Sequence, residues 1–104
     1  MDQTKYKWGY SSTWADTDQY SSRMYVILEG QQTPYIYHKT QDITIFVLQG
    51  EIHLFVEGKT KLIKAGETQR IIPKVMHRLI ALKGDAVILE SGTKIEDDIV
   101  VVQE

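Results

Sequence analysis

The stretch GQQTPYIYHKTQDITIFVLQG, residues 30–50, decides the fold, because it contains two alternating β-strand patterns separated by a polar turn. Successive side chains of an extended chain point to opposite faces, so Ile36 and His38 share one face of the first strand. The second strand places three apolar side chains on one face, which are Ile43, Ile45 and Val47. One histidine is therefore expected beside an apolar interior.

A later stretch, GETQRIIPKVMHRLIA at residues 66–81, supplies a second histidine, His77, shortly after a turn at Pro73. His38 and His77 are expected on separate strands, both facing the inside of a small barrel. A neutral imidazole can bind a metal or a polar ligand, so this pair is the main chemical feature of the chain. The alternative is structural: two buried neutral histidines that hydrogen-bond to each other, to Gln or Tyr, or to water.

Residues 30–50 resemble the first motif of the cupin family, which spaces a glycine, two histidines, a glutamate and a closing glycine. Counting from Gly30 places the two histidine positions at Ile36 and His38, the glutamate position at Ile43, and the last glycine at Gly50. The glycine spacing is kept, whereas two of the three ligand positions hold isoleucine.

The second cupin motif, counted from Gly66, places its histidine at His77, with Pro73 one position late. The two ends of the chain, KWGYSSTWADTDQY and LESGTKIEDDIVVVQE, also resemble those of the small cupin domain in type II phosphomannose isomerases and their mannose-1-phosphate guanylyltransferase relatives. The resemblance therefore covers nearly the whole chain.

This resemblance implies an all-β fold, a small antiparallel β-barrel or jelly roll of the double-stranded β-helix type. Short apolar segments bounded by Gly, Pro or Asp independently predict about eight to ten strands and no helix. A chain of 104 residues suits one domain, so we expect a single domain over residues 1–104. Residues 1–20 are expected to form an N-terminal edge segment, with Trp8 and Trp14 covering one end of the barrel or a dimer contact. Stacking on a ligand is the alternative.

The composition excludes several classes of function. Lys and Arg total 12 against 14 Asp and Glu, without a long run of either sign, so a nucleic-acid partner is not expected. The absence of cysteine excludes disulfides and thiolate chemistry. No apolar run approaches the roughly 18 residues of a membrane helix, and no secretory signal is visible. We expect a soluble cytoplasmic protein without a membrane partner.

Cupins with a complete ligand set hold a divalent metal with three histidines and a carboxylate. Isoleucine donates no electron pair, so Ile36 and Ile43 remove two of these ligands, and we assign no cofactor. The alternative is a weakly held Zn, Fe, Ni or Mn ion on His38 and His77. A β-bulge could turn Asp42 inward as a third ligand.

Two further residues are candidates for ligand binding. Arg70 shares the parity of Ile72 and is expected to point into the cavity, where its guanidinium would suit a phosphate or carboxylate. A surface arginine paired with an acidic residue is the alternative. Tyr35 and Tyr37 are expected to face the second sheet and to expose their hydroxyls, and Tyr37 is the candidate that would contact a ligand. His53 is expected to face outward.

Three functions are consistent with these features. The first is a cupin with a degraded metal site that binds a small molecule, such as a sugar or sugar phosphate, in the barrel. The second is a metal-dependent isomerase or epimerase of sugar phosphates, similar to phosphomannose isomerase, so enzymatic activity stays open. The third is a structural dimer module whose lumen is closed by isoleucines. The apolar last strand, within DDIVVV at residues 97–102, predicts an exposed edge and a homodimer.

Overall fold

The fold was analysed in a computed structural model that describes residues 2–104. Within this range there is no helix with the length and hydrophobicity needed to cross a lipid bilayer. The described residues form eleven β-strands: β1 (Asp2–Tyr6), β2 (Gly9–Asp16), β3 (Tyr20–Ile27), β4 (Tyr35–His38), β5 (Ile43–Gln49), β6 (Glu51–Val56), β7 (Lys59–Lys64), β8 (Thr68–Ile71), β9 (His77–Ile80), β10 (Ala86–Thr93) and β11 (Ile99–Gln103).

The strands form two antiparallel sheets, ordered β1-β2-β3-β10-β5-β8 and β11-β4-β9-β6-β7. Apolar side chains from both sheets belong to one core, including Ile88 from the first sheet and Leu54 from the second. The predicted all-β jelly roll is therefore confirmed. In residues 2–104 no ladder joins a strand of one sheet to a strand of the other, so the sheets do not close into a continuous barrel.

The space between the sheets changes from apolar to polar along its length. On β10, Ile88 is fully buried in the core, and the next residue on the same face is Glu90. On β3, Ile27 is fully buried, and the next residues on its face are Tyr25 and Arg23. Because these strands are adjacent and antiparallel, their polar positions fall at the same end of the sheet. One end of the sandwich is packed core, and the other can hold a site.

The N-terminal segment covers part of this interior. Trp8 is buried and stacks on Tyr6, with ring centroids 4.5 Å apart and planes 5° apart. Trp14 is 52% exposed and does not cover the barrel, whereas its predicted alternative role in a dimer contact stays a prediction. The register between β2 and β3 shifts between Thr13 and Ala15, which leaves Trp14 as the extra residue of a β-bulge.

The glycine that closes β5 illustrates how tightly the hairpins pack. Gly50 has φ +78°, and a Cβ at this position would lie 2.6 Å from the backbone oxygen of Asp85. Gly58, in the next hairpin turn, has φ +77° but no atom within 4 Å of such a Cβ. The two glycines therefore share a left-handed conformation and differ only in their surroundings.

Gly50→Ala is expected to lower the free energy of unfolding more than Gly58→Ala. The left-handed conformation costs a residue with a Cβ about 1–2 kcal/mol at either position. The enforced displacement of Asp85 adds roughly 1 kcal/mol or more at position 50 alone. Urea denaturation of the two variants measures the difference, and equal losses would show that Asp85 readily moves away.

Candidate functional site

The structure brings the two predicted histidines together on the inner face of the five-stranded sheet. His38 ends β4, His77 begins β9, and both are buried, with 3% and 5% exposure. Their ring centroids lie 5.8 Å apart, and the ring planes differ by 18°. The register pairs Ile36 with His77, which aligns the two strands so that the imidazoles meet.

Both imidazoles are held in the neutral form. The Nδ1 atom of His77 lies 3.0 Å from the carbonyl oxygen of Val75, which can only accept, so Nδ1 carries the proton and Nε2 keeps a lone pair. Burial lowers the pKa of His77 despite the contact with Val75. Burial and the neighbouring His77 lower the pKa of His38 to about 4, although Asp98 opposes this shift. The pair adds no positive charge at neutral pH.

Asp98 is a site residue that the sequence did not reveal. Its carboxylate accepts hydrogen bonds from the backbone N–H of Gln41 at 2.7 Å and from the Thr40 hydroxyl at 2.8 Å. Burial raises the pKa of Asp98, but these hydrogen bonds outweigh burial and lower it overall. Asp98 is therefore an anion that ties the segment before β11 to the β4–β5 turn. One carboxylate oxygen lies 4.0 Å from Nδ1 of His38, which has no hydrogen-bond partner in residues 2–104.

The opposite sheet contributes three polar side chains, Arg23, Tyr25 and Glu90. Arg23 and Glu90 are direct partners across β3 and β10, and Tyr25 lies two residues further along β3. Burial raises the pKa of Glu90 to about 7, although Arg23 and Tyr25 act to lower it. Burial also raises the pKa of Tyr25. Glu90 is thus a carboxyl group that exchanges a proton near neutral pH.

The sequence contains a pattern that indicates these three polar side chains. Counting in steps of two from the apolar residue Ile27 leads to Tyr25 and Arg23, and counting from Ile88 leads to Glu90. Such alternation places polar groups on an otherwise apolar face, which costs free energy unless they are hydrogen-bonded or paired. Within residues 2–104 neither Arg23 nor Glu90 forms an ion pair at 4.0 Å or less.

Two cavities lie between these walls. The larger has a volume of about 530 Å³ and is bordered by Arg23, Glu90 and His38, and also by Lys94 and the carboxylates of Asp16, Glu96, Asp97 and Asp98. The smaller has a volume of about 210 Å³ and is bordered mainly by apolar side chains, with His77 at one side. The closed lumen expected for a purely structural module is therefore wrong.

Arg70, predicted to face the cavity, lies on the outer surface. Its parity with Ile72 is correct, but Ile72 is itself 51% exposed, whereas the intervening Ile71 is in the core. The Nε of Arg70 donates to Oδ1 of Asp42 at 3.0 Å, and a second bond joins Nη2 to Oδ2. These bonds lower the pKa of Asp42. Asp42 is therefore held outside, and no bulge turns it towards the histidines.

Tyr37 also lies outside the lumen. It alternates with Ile36 and His38, both of which border the cavities, so Tyr37 points away from the second sheet. Tyr35 shares this outer face, where its ring centroid is 5.8 Å from that of Phe55. The expectation that these tyrosines face the second sheet is wrong, because His38 faces the lumen and Tyr35 and Tyr37 alternate with it along β4.

The described side chains do not fit the divalent metal that a complete cupin ligand set would hold. In residues 2–104 no three His, Cys, Asp or Glu side chains are arranged to share an ion. Ile36 borders the smaller cavity, and Ile43 is 1% exposed in the core. Apolar walls at these positions raise the cost of a dication that only His38 and His77 would ligate.

Sequence comparison identifies one domain family. The profile of the family described as "Cupin domain" matches residues 23–92. This range contains His38, His77, Arg23 and Glu90, whereas β1, β2 and β11 lie outside it. No functionally curated protein shows significant sequence similarity to the chain.

Several solved structures share the fold at low identity. KdgF from a Halomonas species has a TM-score of 0.84 and 19% identity, over 93% of this chain and 89% of that one. The polyketide cyclase RemF from Streptomyces resistomycificus has a TM-score of 0.84 and 18% identity, over 94% and 73%. A protein of Acidithiobacillus ferrooxidans, provisionally assigned as a sugar phosphate isomerase, has a TM-score of 0.71 and 20% identity, over 80% and 56%.

The raised pKa of Glu90 predicts how stability depends on pH. A carboxyl that holds its proton more tightly when folded stabilises the protein below its ordinary pKa of 4.5, and this contribution is lost as the pH rises through about 7. Glu90→Gln is therefore expected to raise the free energy of unfolding at pH 8 by about 1–3 kcal/mol, since each pKa unit corresponds to about 1.4 kcal/mol. The free energies of unfolding of Glu90→Gln and the wild type should differ little at pH 4.

Urea denaturation of Glu90→Gln at the two pH values measures this effect. Glu57→Gln, in an exposed turn, is the matched control and should change stability little at either pH. A Glu90→Gln difference that does not vary with pH would mean that Glu90 ionises normally.

Adding a third imidazole tests whether the backbone still places position 36 where cupins carry a metal ligand. Ile36→His would place a donor beside His77 on the lumen face of β4, so Ni²⁺ affinity is expected to rise roughly tenfold or more over the parent. Tyr37→His, one residue away on the outer face, is the control. Isothermal titration calorimetry compares the variants, and an equal gain for both would contradict the alignment with the cupin ligand positions.

Proposed function

The chain belongs to the cupin domain family, and from this premise we propose that it binds a small anionic molecule, such as a sugar phosphate, in its lumen. One observation carries the proposal: the larger cavity, of about 530 Å³, is bordered by Arg23 and Glu90, which form no ion pair within residues 2–104. Arg23 and Glu90 each interact with Tyr25 but form no ion pair, so an anionic ligand would supply the guanidinium with a charged partner.

Arg23 is the anchor for the anionic group. A guanidinium presents N–H donors in a planar fork that matches two oxygens of a phosphate or carboxylate. The paired position of Glu90 on β10 places a carboxyl beside this anchor. Its protonated form can donate a hydrogen bond to the ligand, and its ionised form can accept one from a hydroxyl.

The histidine wall completes the recognition of a polyhydroxylated ligand. His38 borders the larger cavity from the opposite sheet, and it is neutral because burial lowers its pKa to about 4. A neutral imidazole offers one donor and one acceptor, which suits hydroxyl groups. The ligand would thus be bound between two sheets, with its charge at Arg23 and its hydroxyls towards His38.

Isomerisation of a sugar phosphate is the second candidate function. It is favoured by the pKa of Glu90, about 7, because a general base works best when its pKa is near the operating pH. The Glu90 carboxylate would remove a proton from the hydroxyl-bearing carbon next to a carbonyl while the carbonyl oxygen takes up a proton, which gives an enediol. Glu90 would then return its proton to the former carbonyl carbon as the neighbouring hydroxyl loses its proton and becomes the new carbonyl. This route would make the chain similar in activity to phosphomannose isomerases.

We further infer a homodimer formed through β11 and a cytoplasmic location. β11 is the edge of the five-stranded sheet, and Val102 is nearly half exposed, at 47%. An apolar edge strand is stabilised by pairing with a second copy across a two-fold axis.

Arg23→Gln is expected to weaken binding of mannose 6-phosphate roughly tenfold or more, because a charge-assisted hydrogen bond contributes about 1.5–3 kcal/mol. Arg70→Gln removes the same charge from the outer surface and should bind like the wild type. Calorimetric titration of mannose, glucose and fructose 6-phosphates into each protein tests both. Equal affinities of the wild type and Arg23→Gln, or no binding of any sugar phosphate, would contradict the proposal.

A further inference from the structure

The smaller cavity has the character of a binding pocket for an apolar group. Its volume is about 210 Å³, and its walls include Trp8, Pro34, Ile36, Leu79 and Val101. Packed protein interiors contain few voids larger than a water molecule. An apolar cavity of about 150 Å³ accepts a benzene ring, so this one is large enough for a ring or a short hydrocarbon chain.

Aromatic packing gives this cavity one rigid wall. Trp8 is fixed between Tyr6, whose ring centroid is 4.5 Å away, and Tyr25, whose ring centroid is 6.0 Å away. All three aromatic residues border the cavity. A stacked cluster of this kind presents a preformed apolar surface, which lowers the entropy cost of binding an apolar group.

The two cavities share a boundary. Arg23, Tyr25, Glu90 and Ile99 border both of them. A ligand bound through Arg23 is therefore within reach of the polar surroundings on one side and the apolar surroundings on the other. A simple sugar phosphate would fill only the polar side, because its hydroxyls would lose hydrogen bonds among the apolar side chains.

We propose that the natural ligand is amphipathic, with an anionic group bound at Arg23 and a ring or hydrocarbon chain in the smaller cavity against Trp8. This inference rests on the proposed function, that the lumen binds a small anion, and narrows the class of ligand. Small organic acids with an aryl or short alkyl group, and glycosides or phosphates carrying such a group, share this chemistry.

A series of carboxylates that differ only in their apolar part tests the inference. Acetate, butyrate, hexanoate and phenylacetate are titrated calorimetrically into the full chain. Affinity is expected to rise roughly threefold for each added methylene, the gain typical of burying a CH₂ group. Phenylacetate is expected to bind at least roughly tenfold more tightly than acetate, since a buried ring contributes more area than two methylenes.

The fluorescence of Trp8 locates the apolar group. Trp14→Phe removes the exposed tryptophan and leaves Trp8 as the single indole of the chain. Phenylacetate and hexanoate are expected to change the Trp8 emission, whereas inorganic phosphate should change it little. In the calorimetric series, Ile36→Trp, which fills the cavity, should remove the rise in affinity from acetate to hexanoate. Tyr37→Trp, on the outer face of the same strand, should preserve that gain.

The outcomes separate this inference from the proposed function. Binding of mannose 6-phosphate or acetate that depends on Arg23, with no gain from butyrate to hexanoate, would overturn the inference and leave the proposed function in place. The absence of binding by every anion in the series would overturn the proposed function itself. The chain-length series and the Trp8 emission decide the matter even if Ile36→Trp fails to fold.

Discussion

Keeping titratable groups in the interior of a β-sandwich costs free energy, and this constraint divides the molecule into two ends. The interior faces of β3 and β10 carry the fully buried Ile27 and Ile88 towards one end of the sheet and the paired Arg23 and Glu90 towards the other. At the apolar end the sheets pack tightly against each other. At the polar end they enclose space, because polar side chains in an interior are stable only where they are hydrogen-bonded, solvated or bound to a ligand.

The five-stranded sheet also carries polar side chains on its inner face. His38 and His77 are buried, neutral and stacked, so they form a polar wall without charge. Asp98 supplies an anion nearby, and its hydrogen bonds to Thr40 and Gln41 connect the last segment of the chain to the mouth of the larger cavity. The site therefore combines an uncharged wall with a charged one, and this arrangement suits recognition of a polar molecule more than ligation of a metal.

Strand parity predicted the parts of the fold that depend on a single chain segment. It placed the two histidines inside and gave the buried face of β5 correctly, with Ile43, Ile45 and Val47 all at 1% exposure or less. Parity alone does not say which face is inside, and Arg70 was misplaced for this reason. A β-bulge leaves Trp14 exposed instead of covering the barrel, and no sequence pattern marks that bulge. Arg23 and Glu90 were missed because their significance depends on pairing between strands more than 60 positions apart in the sequence.

The ionisation of Glu90 depends on its burial between the sheets and on Arg23 and Tyr25, and it can be observed directly. A carbon-13 NMR titration of the Glu90 side-chain carboxyl, assigned by comparison with Glu90→Gln, follows its protonation in the intact protein. A midpoint near pH 7 is expected, because burial between the sheets disfavours the carboxylate. A midpoint near 4.5, the ordinary value for glutamate, would mean that the carboxyl is fully solvated and that the polar end of the sandwich is not an enclosed binding site.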